Sequence, residues 1–155
     1  MRKLLAFLTI LFLLACSSGL SGTTTTTCTN APRVFVENDT VVIIEGYDEE
    51  IRLWTRRITL TREQFIQHMS DDDDITDEEI VEMFDFLNSL KAEGFELVLV
   101  SLTDEEVIME YIYDYSIISD EDLNEIWDVD DFEREVTLSA AIRGLEEQEA
   151  ICETE

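Results

Sequence analysis

From Val107 to Ile117 every second residue is apolar or aromatic: Val107, Met109, Tyr111, Tyr113, Tyr115 and Ile117. A period of two belongs to a strand with one buried face, and no other stretch of the chain limits its folding so tightly. A helical alternative competes for the same segment. Thr103 and Glu106 have the spacing of a capping box, and Val107, Tyr111, Tyr115 and Ile118 would share one helix face. Six alternating positions are more than a helix needs, so the strand is the preferred reading.

Other strands are expected nearer the N-terminus. Val34-Phe35-Val36 and Val41 to Ile44 flank the polar turn Glu37 to Thr40 and read as a hairpin. A third strand, Ile51 to Leu60, follows the turn at Gly46 and Asp48, and Phe95 to Leu102 reads as a strand covered on both faces because Leu97 to Val100 are consecutive apolar residues. Helix starts are marked by Thr61 with Gln64 and by Thr76 with Glu79, where hydroxyl and returning side chain satisfy opposite backbone donors. After Thr76 an apolar stripe runs through Ile80, Met83, Phe84, Leu87 and Leu90 and stops before Gly94. Ser119 to Trp127 and about 130–149 are expected to close the chain as helices. The class that follows is α+β, with a mainly antiparallel sheet packed with helices.

Charge narrows the partners. The chain holds 37 acidic and 10 basic residues. Of the basic ones, Arg33 to Arg62 contains five against six acids, whereas Glu63 to Glu155 contains three against 31. Nucleic acid is excluded as a partner, because a phosphate backbone is bound through Lys and Arg that displace its counterions. A surface tuned for solubility or a salty habitat, docking to a basic protein, and cation binding all remain open.

Chemistry-bearing motifs are scarce. Asp71-Asp72-Asp73-Asp74 is the place where calcium would bind, but Ile75 falls on the fifth position of an EF-hand loop and no glycine follows, so a solvated loop at a helix start is preferred and no metal site is assigned. No cofactor motif is present. His68 is the single histidine, read as a surface or helix-edge residue. No nucleophile or phosphate-loop motif occurs, so a noncatalytic role is preferred over a small envelope hydrolase using carboxylates. Arg52, Trp54 and Arg56 alternate on the third expected strand and would share a face able to hold an anion or a partner, with pairing to the chain's own carboxylates as the competing use. The tyrosine row is read either as a contact surface or as a sheet face packed under helices.

The first residues carry an address. Arg2 and Lys3 precede the apolar run Leu4 to Leu14, which at eleven residues is too short to span a bilayer. Leu13-Leu14-Ala15-Cys16 resembles the lipobox of bacterial lipoproteins. That resemblance, confined to residues 1–17, implies cleavage behind Ala15 and acylation of Cys16, palmitate included, so that the membrane is held by lipid. Ser17 implies delivery to the outer membrane, on its periplasmic or surface face, where a basic envelope protein is the expected partner; an inhibitor or immunity-type role against a basic partner is a further alternative. Loss of Arg2 and Lys3 with the signal leaves eight basic residues and a formal charge of −29.

The expected organisation is therefore a signal peptide over 1–15, lipidated Cys16 with a Ser/Thr/Gly-rich tether to 32, one acidic globular domain over 33–150 and a tail over 151–155. Once Cys16 is acylated, Cys28 and Cys152 are the remaining thiols, in a compartment where a disulfide persists. An internal bond is expected, against free thiols or an intermolecular bond.

Overall fold

The computed structural model describes residues 22–32, 39–69, 75–89, 92–127 and 136–155. The signal segment with Cys16, the strand expected at Val34 to Val36, the Asp71 to Asp74 run and the beginning of the last expected helix lie outside those residues.

The described elements are β1 (Thr23–Thr29), β2 (Asp39–Tyr47), β3 (Glu50–Thr61), α1 (Arg62–Met69), α2 (Asp77–Ser89), β4 (Phe95–Leu102), β5 (Glu106–Asp114), α3 (Asp120–Trp127), α4 (Leu138–Glu146) and β6 (Ile151–Thr154). The strands form one antiparallel sheet in the order β4-β5-β3-β2-β1-β6, so the fold is α+β. The alternation from Val107 is a strand, but β5 ends at Asp114, and Tyr115 to Ile117 form a turn. Thr103 caps no helix. Its hydroxyl accepts from the Glu105 and Glu106 amides in the tight β4–β5 connection, the same local bonding put to use in a turn.

Alternation along the strands decides which residues meet the helices. Val42 and Ile44 of β2, Ile58 and Leu60 of β3, Val107 and Met109 of β5 and Leu97 of β4 point to one side and are buried. Phe65 of α1 with Ile80 and Phe84 of α2 covers the β3–β5–β4 half, and the Phe65 and Phe84 rings stack at 6.2 Å. Leu138 and Leu145 of α4 cover Val42 and Ile44, and Leu123 of α3 meets Tyr113 and Ile118. With eight or nine residues, α1, α3 and α4 are too short to persist alone in water, so these contacts hold them. Each fully buried large apolar side chain contributes about 1.5–3 kcal/mol toward that. Both capping boxes form: Thr61 and Gln64 exchange bonds at α1, and Thr76 and Glu79 do so at α2. Of the helix expected over 130–149, the described part is α4, which starts at its N-cap Thr137.

Three expectations are corrected. The threonine block is strand, not tether: β1 lies between β2 and β6, with Thr26 and Cys28 fully buried and the Thr26 and Thr154 hydroxyls bonded at 2.8 Å. Thr is β-branched and suits a strand, and its hydroxyl can be satisfied inside a sheet, so a run without apolar periodicity still folds. Residues 151–155 form no tail, because β6 pairs with β1 and Glu155 exchanges backbone bonds with Thr25. Finally, β4 is an edge strand that the described helices cover on one face; Val100 is 45% exposed beside a register shift.

Candidate functional site

Arg52, Trp54 and Arg56 do not form one cluster. The β2–β3 pairing steps from Glu45–Leu53 to Gly46–Ile51, so Arg52 is the extra residue of a bulge and the alternation breaks there. Gly46 belongs to the same feature: a Cβ on it would stand 2.8 Å from the Leu138 side chain, so glycine lets α4 sit close to β2. Arg52 is exposed, its guanidinium 5.3 Å from the Tyr47 ring centre. Trp54 and Arg56 instead turn toward the helix side, half-buried, where Trp54 pairs with Tyr113 and Arg56 with Tyr111 across β5.

This polar seam is structural in its electrostatics. Burial lowers the Arg56 pKa, opposed by its attraction to Tyr113, Tyr115 and Tyr111. Burial also raises Tyr111 and pushes Tyr113 up to about 12, opposed in both by Arg56. Phe95 packs on Tyr111 and Tyr113 at centroid distances of 6.3 and 5.1 Å, so these tyrosines are core rings. The neighbouring arginines pair with acids: Arg57 with Glu110 at 2.5 Å and Arg62 with Asp77 at 2.6 Å.

Cys28 and Cys152 stand opposite each other in β1 and β6 and are joined by a disulfide, 124 positions apart in sequence. His68 is exposed on α1, its Nδ1 2.8 Å from the Gln64 carbonyl. Among the described residues no group of three or more His, Cys, Asp or Glu side chains is placed to hold a metal.

A cleft of about 690 Å³ opens beside the β2–β3 turn, lined by Glu49, Ile51, Arg52, Tyr115 and Thr137 among others. Its carboxylate Glu49 accepts from the Ser139 hydroxyl at 2.7 Å and the Ser139 amide at 3.2 Å, and these bonds hold its pKa below the ordinary carboxylate value. A group fixed in its charged form at the start of α4 is a helix cap and a poor general acid, which needs a raised pKa.

The opposite face of the sheet has the features of an interface. Residues of the other parity, Val41 and Ile43 of β2, Leu53 of β3, Val98 of β4, and Ile108 and Ile112 of β5, point away from the helices and are half-buried. None belongs to the three core clusters, and all four described helices pack on the other side. Thr55, opposite both Ile43 and Ile112, forms the centre. Acids surround it: Asp39 and Glu45 on β2, Asp114 on β5 and Glu153 on β6, which faces Thr27. Arg57, on the same parity as Thr55, is bound to Glu110 across the pair.

Sequence reasoning passed over this face. The signal was available in Val41 to Ile44, four consecutive apolar residues that supply both parities of a strand, whereas the described helices cover one parity only.

No protein-family model matches the chain, and no curated protein sequence matches it. Two solved structures share the fold. An NMR structure of a protein from Streptococcus pneumoniae TIGR4 superposes with a TM-score of 0.65 at 12% identity, covering 88% of this chain and 88% of that one. The NMR structure of the Escherichia coli YehR protein gives 0.58 at 11% identity, over 86% of this chain and 92% of that one. At such identities the likeness is one of architecture.

Proposed function

We propose that this chain is a lipid-anchored cell-envelope protein, attached through Cys16, whose acidic body acts without catalysis by docking another envelope protein. The observation that carries the docking half is the acid-ringed apolar face around Thr55, opposite the helices. An apolar row, here Ile43, Thr55 and Ile112 with Leu53 beside it, bordered by polar and charged groups is a usual form of a protein-binding site. The anchoring half rests on the lipobox-like Leu13-Leu14-Ala15-Cys16, and Ser17 fits delivery to an outer membrane. Because β1 starts at Thr23, the leash between Cys16 and the sheet is short: six residue steps to Gly22 reach at most ~20 Å. The body is therefore held close to the bilayer, with the β2–β3 turn nearest it, since Thr23 pairs with Tyr47.

Two measurements test the two halves. Labelled fatty acid should incorporate into the wild-type protein and fail to do so in Cys16→Ser. A photoreactive residue at position 43 or 112 should give a discrete protein adduct in the intact envelope, while the same residue at position 81, exposed on α2, should give none. Equal adducts from both sides of the molecule would remove the docking reading.

A further inference from the structure

The face around Thr55 is specific about what it can accept. Resting on the docking reading above, we propose that its occupant is a cationic amphipathic helix of another envelope protein. The uncharged part is one row three strands wide, Ile43 beside Thr55 beside Ile112, with Leu53 next to it; the adjoining row, Val41 beside Arg57 beside Glu110, is crossed by an ion pair. The other side of the same sheet buries its rows under helices, and this side offers the same kind of surface. A helix laid there would set an apolar stripe on Ile43 and Ile112 and carry its flanking side chains out to the rim.

Charge selects the sign of those flanks. Asp39, Glu45, Asp114 and Glu153 border the face; of the cations on that side among the described residues, Arg57 is taken up by Glu110, and Arg52 lies over the ring of Tyr47 at the β2–β3 end. Lysines or arginines along an incoming helix would meet carboxylates on opposite borders, and the net charge of the body would steer them in. A second copy of this chain is a poor occupant for the same reason, because two-fold pairing of this face lays its acids against themselves. An acidic helix fails likewise.

The test uses the mature lipidated protein in phosphatidylcholine vesicles and, as probe, a fluorescent 18-residue synthetic helix (roughly five turns) with a leucine stripe and lysine flanks. Anisotropy, corrected with protein-free vesicles, should show saturable binding that weakens about tenfold or more on raising monovalent salt from ~50 to ~500 mM. The helix with glutamate in place of lysine should not bind. Ile112→Lys, and separately the pair Glu45→Lys and Glu153→Lys, should lower affinity about tenfold or more, while Val81→Lys on α2 leaves it unchanged. Glu153 is exposed and Glu45 half-buried at the border, outside the three core clusters, so the charge pair carries the test alone if Ile112→Lys does not fold. Binding of the glutamate helix as tightly as the lysine one, or equal losses from Val81→Lys, would overturn the proposal. If position 43 captures a protein in the envelope but the lysine helix does not bind, docking stands and the cationic-helix occupant falls.

Discussion

Removing the Cys28–Cys152 bond should affect the molecule in two separable ways. The covalent loop closes over 124 positions, and chain-entropy arguments give such a loop about 5 kcal/mol of stabilisation through the unfolded state. Against a total of about 5–15 kcal/mol for a domain, that is a third or more. The melting temperature should fall on the order of 15 °C in Cys28→Ala/Cys152→Ala, as in the reduced wild type. The second effect is local. β6 has four residues in the sheet and Ile151 is 64% exposed, so little apolar burial holds it once the bond is gone. Thr25 donates its amide to Glu155 and, by the alternation of an antiparallel pair, Thr27 donates toward Glu153, whereas Thr26 and Cys28 turn theirs toward β2. Residue-resolved amide exchange should therefore quicken at Thr25 and Thr27 well before Thr26 and position 28. Urea unfolding gives the global figure. A loss below ~1 kcal/mol, or exchange that rises equally at odd and even positions of β1, would refute the reasoning.

Two more outcomes follow from particular contacts. Asn88 occupies the outer edge of β4 with its side-chain amide, donating to the Leu97 carbonyl at 2.5 Å and accepting from the Leu97 amide at 3.1 Å, as a neighbouring strand would. Asn88→Ala should cost about 1–3 kcal/mol and free that edge for pairing, so concentration-dependent association should appear in light scattering. Glu79 is held below its ordinary value of 4.5 by bonds from the Thr76 amide and hydroxyl. Its stabilising share is thus complete above pH 4.5 and is lost as pH falls through the lower folded-state value. Melting curves between about pH 3 and 6 should show a shallower acid decline in Glu79→Gln than in wild type, and parallel curves would exclude this linkage.

Much of the fold was legible because the relevant signals are local. The period-two run from Val107, the capping spacings at Thr61 and Thr76 and the stripe from Ile80 each report a single element, and each element forms. The misreadings have one cause, namely that pairing partners far away in sequence decide the outcome. Thr23 to Thr29 have no pattern of their own and become strand because β2 and β6 flank them; residues 151–154 become strand because Cys28 stands opposite Cys152. Thr103 and Glu106 have a helix-start spacing, yet the chain reverses there to pair β4 with β5. The site was less legible still. Arg52, Trp54 and Arg56 look equivalent by alternation, and a one-residue bulge opposite Glu45 and Gly46 sends Arg52 to Tyr47 and the other two beneath the helices. The open face consists of ordinary strand residues, distinguished only by the absence of a covering layer among the described elements.

Ile43 and Ile44 are adjacent in sequence and lie on opposite faces of β2, which makes them the sharpest probe of the account. Ile44 is fully buried under α4, and Ile43 lies on the open side beside Thr55. Placing lysine at each position in turn and measuring urea unfolding isolates the face as the only variable. Ile44→Lys should lose more than about 4 kcal/mol or fail to fold, through an uncompensated charge and a disrupted core. Ile43→Lys should stay within about 1 kcal/mol of wild type, its long stem lying along the sheet with the ammonium among the surrounding acids. Comparable losses at both positions would mean that both faces of the sheet are packed, and the docking surface would not exist.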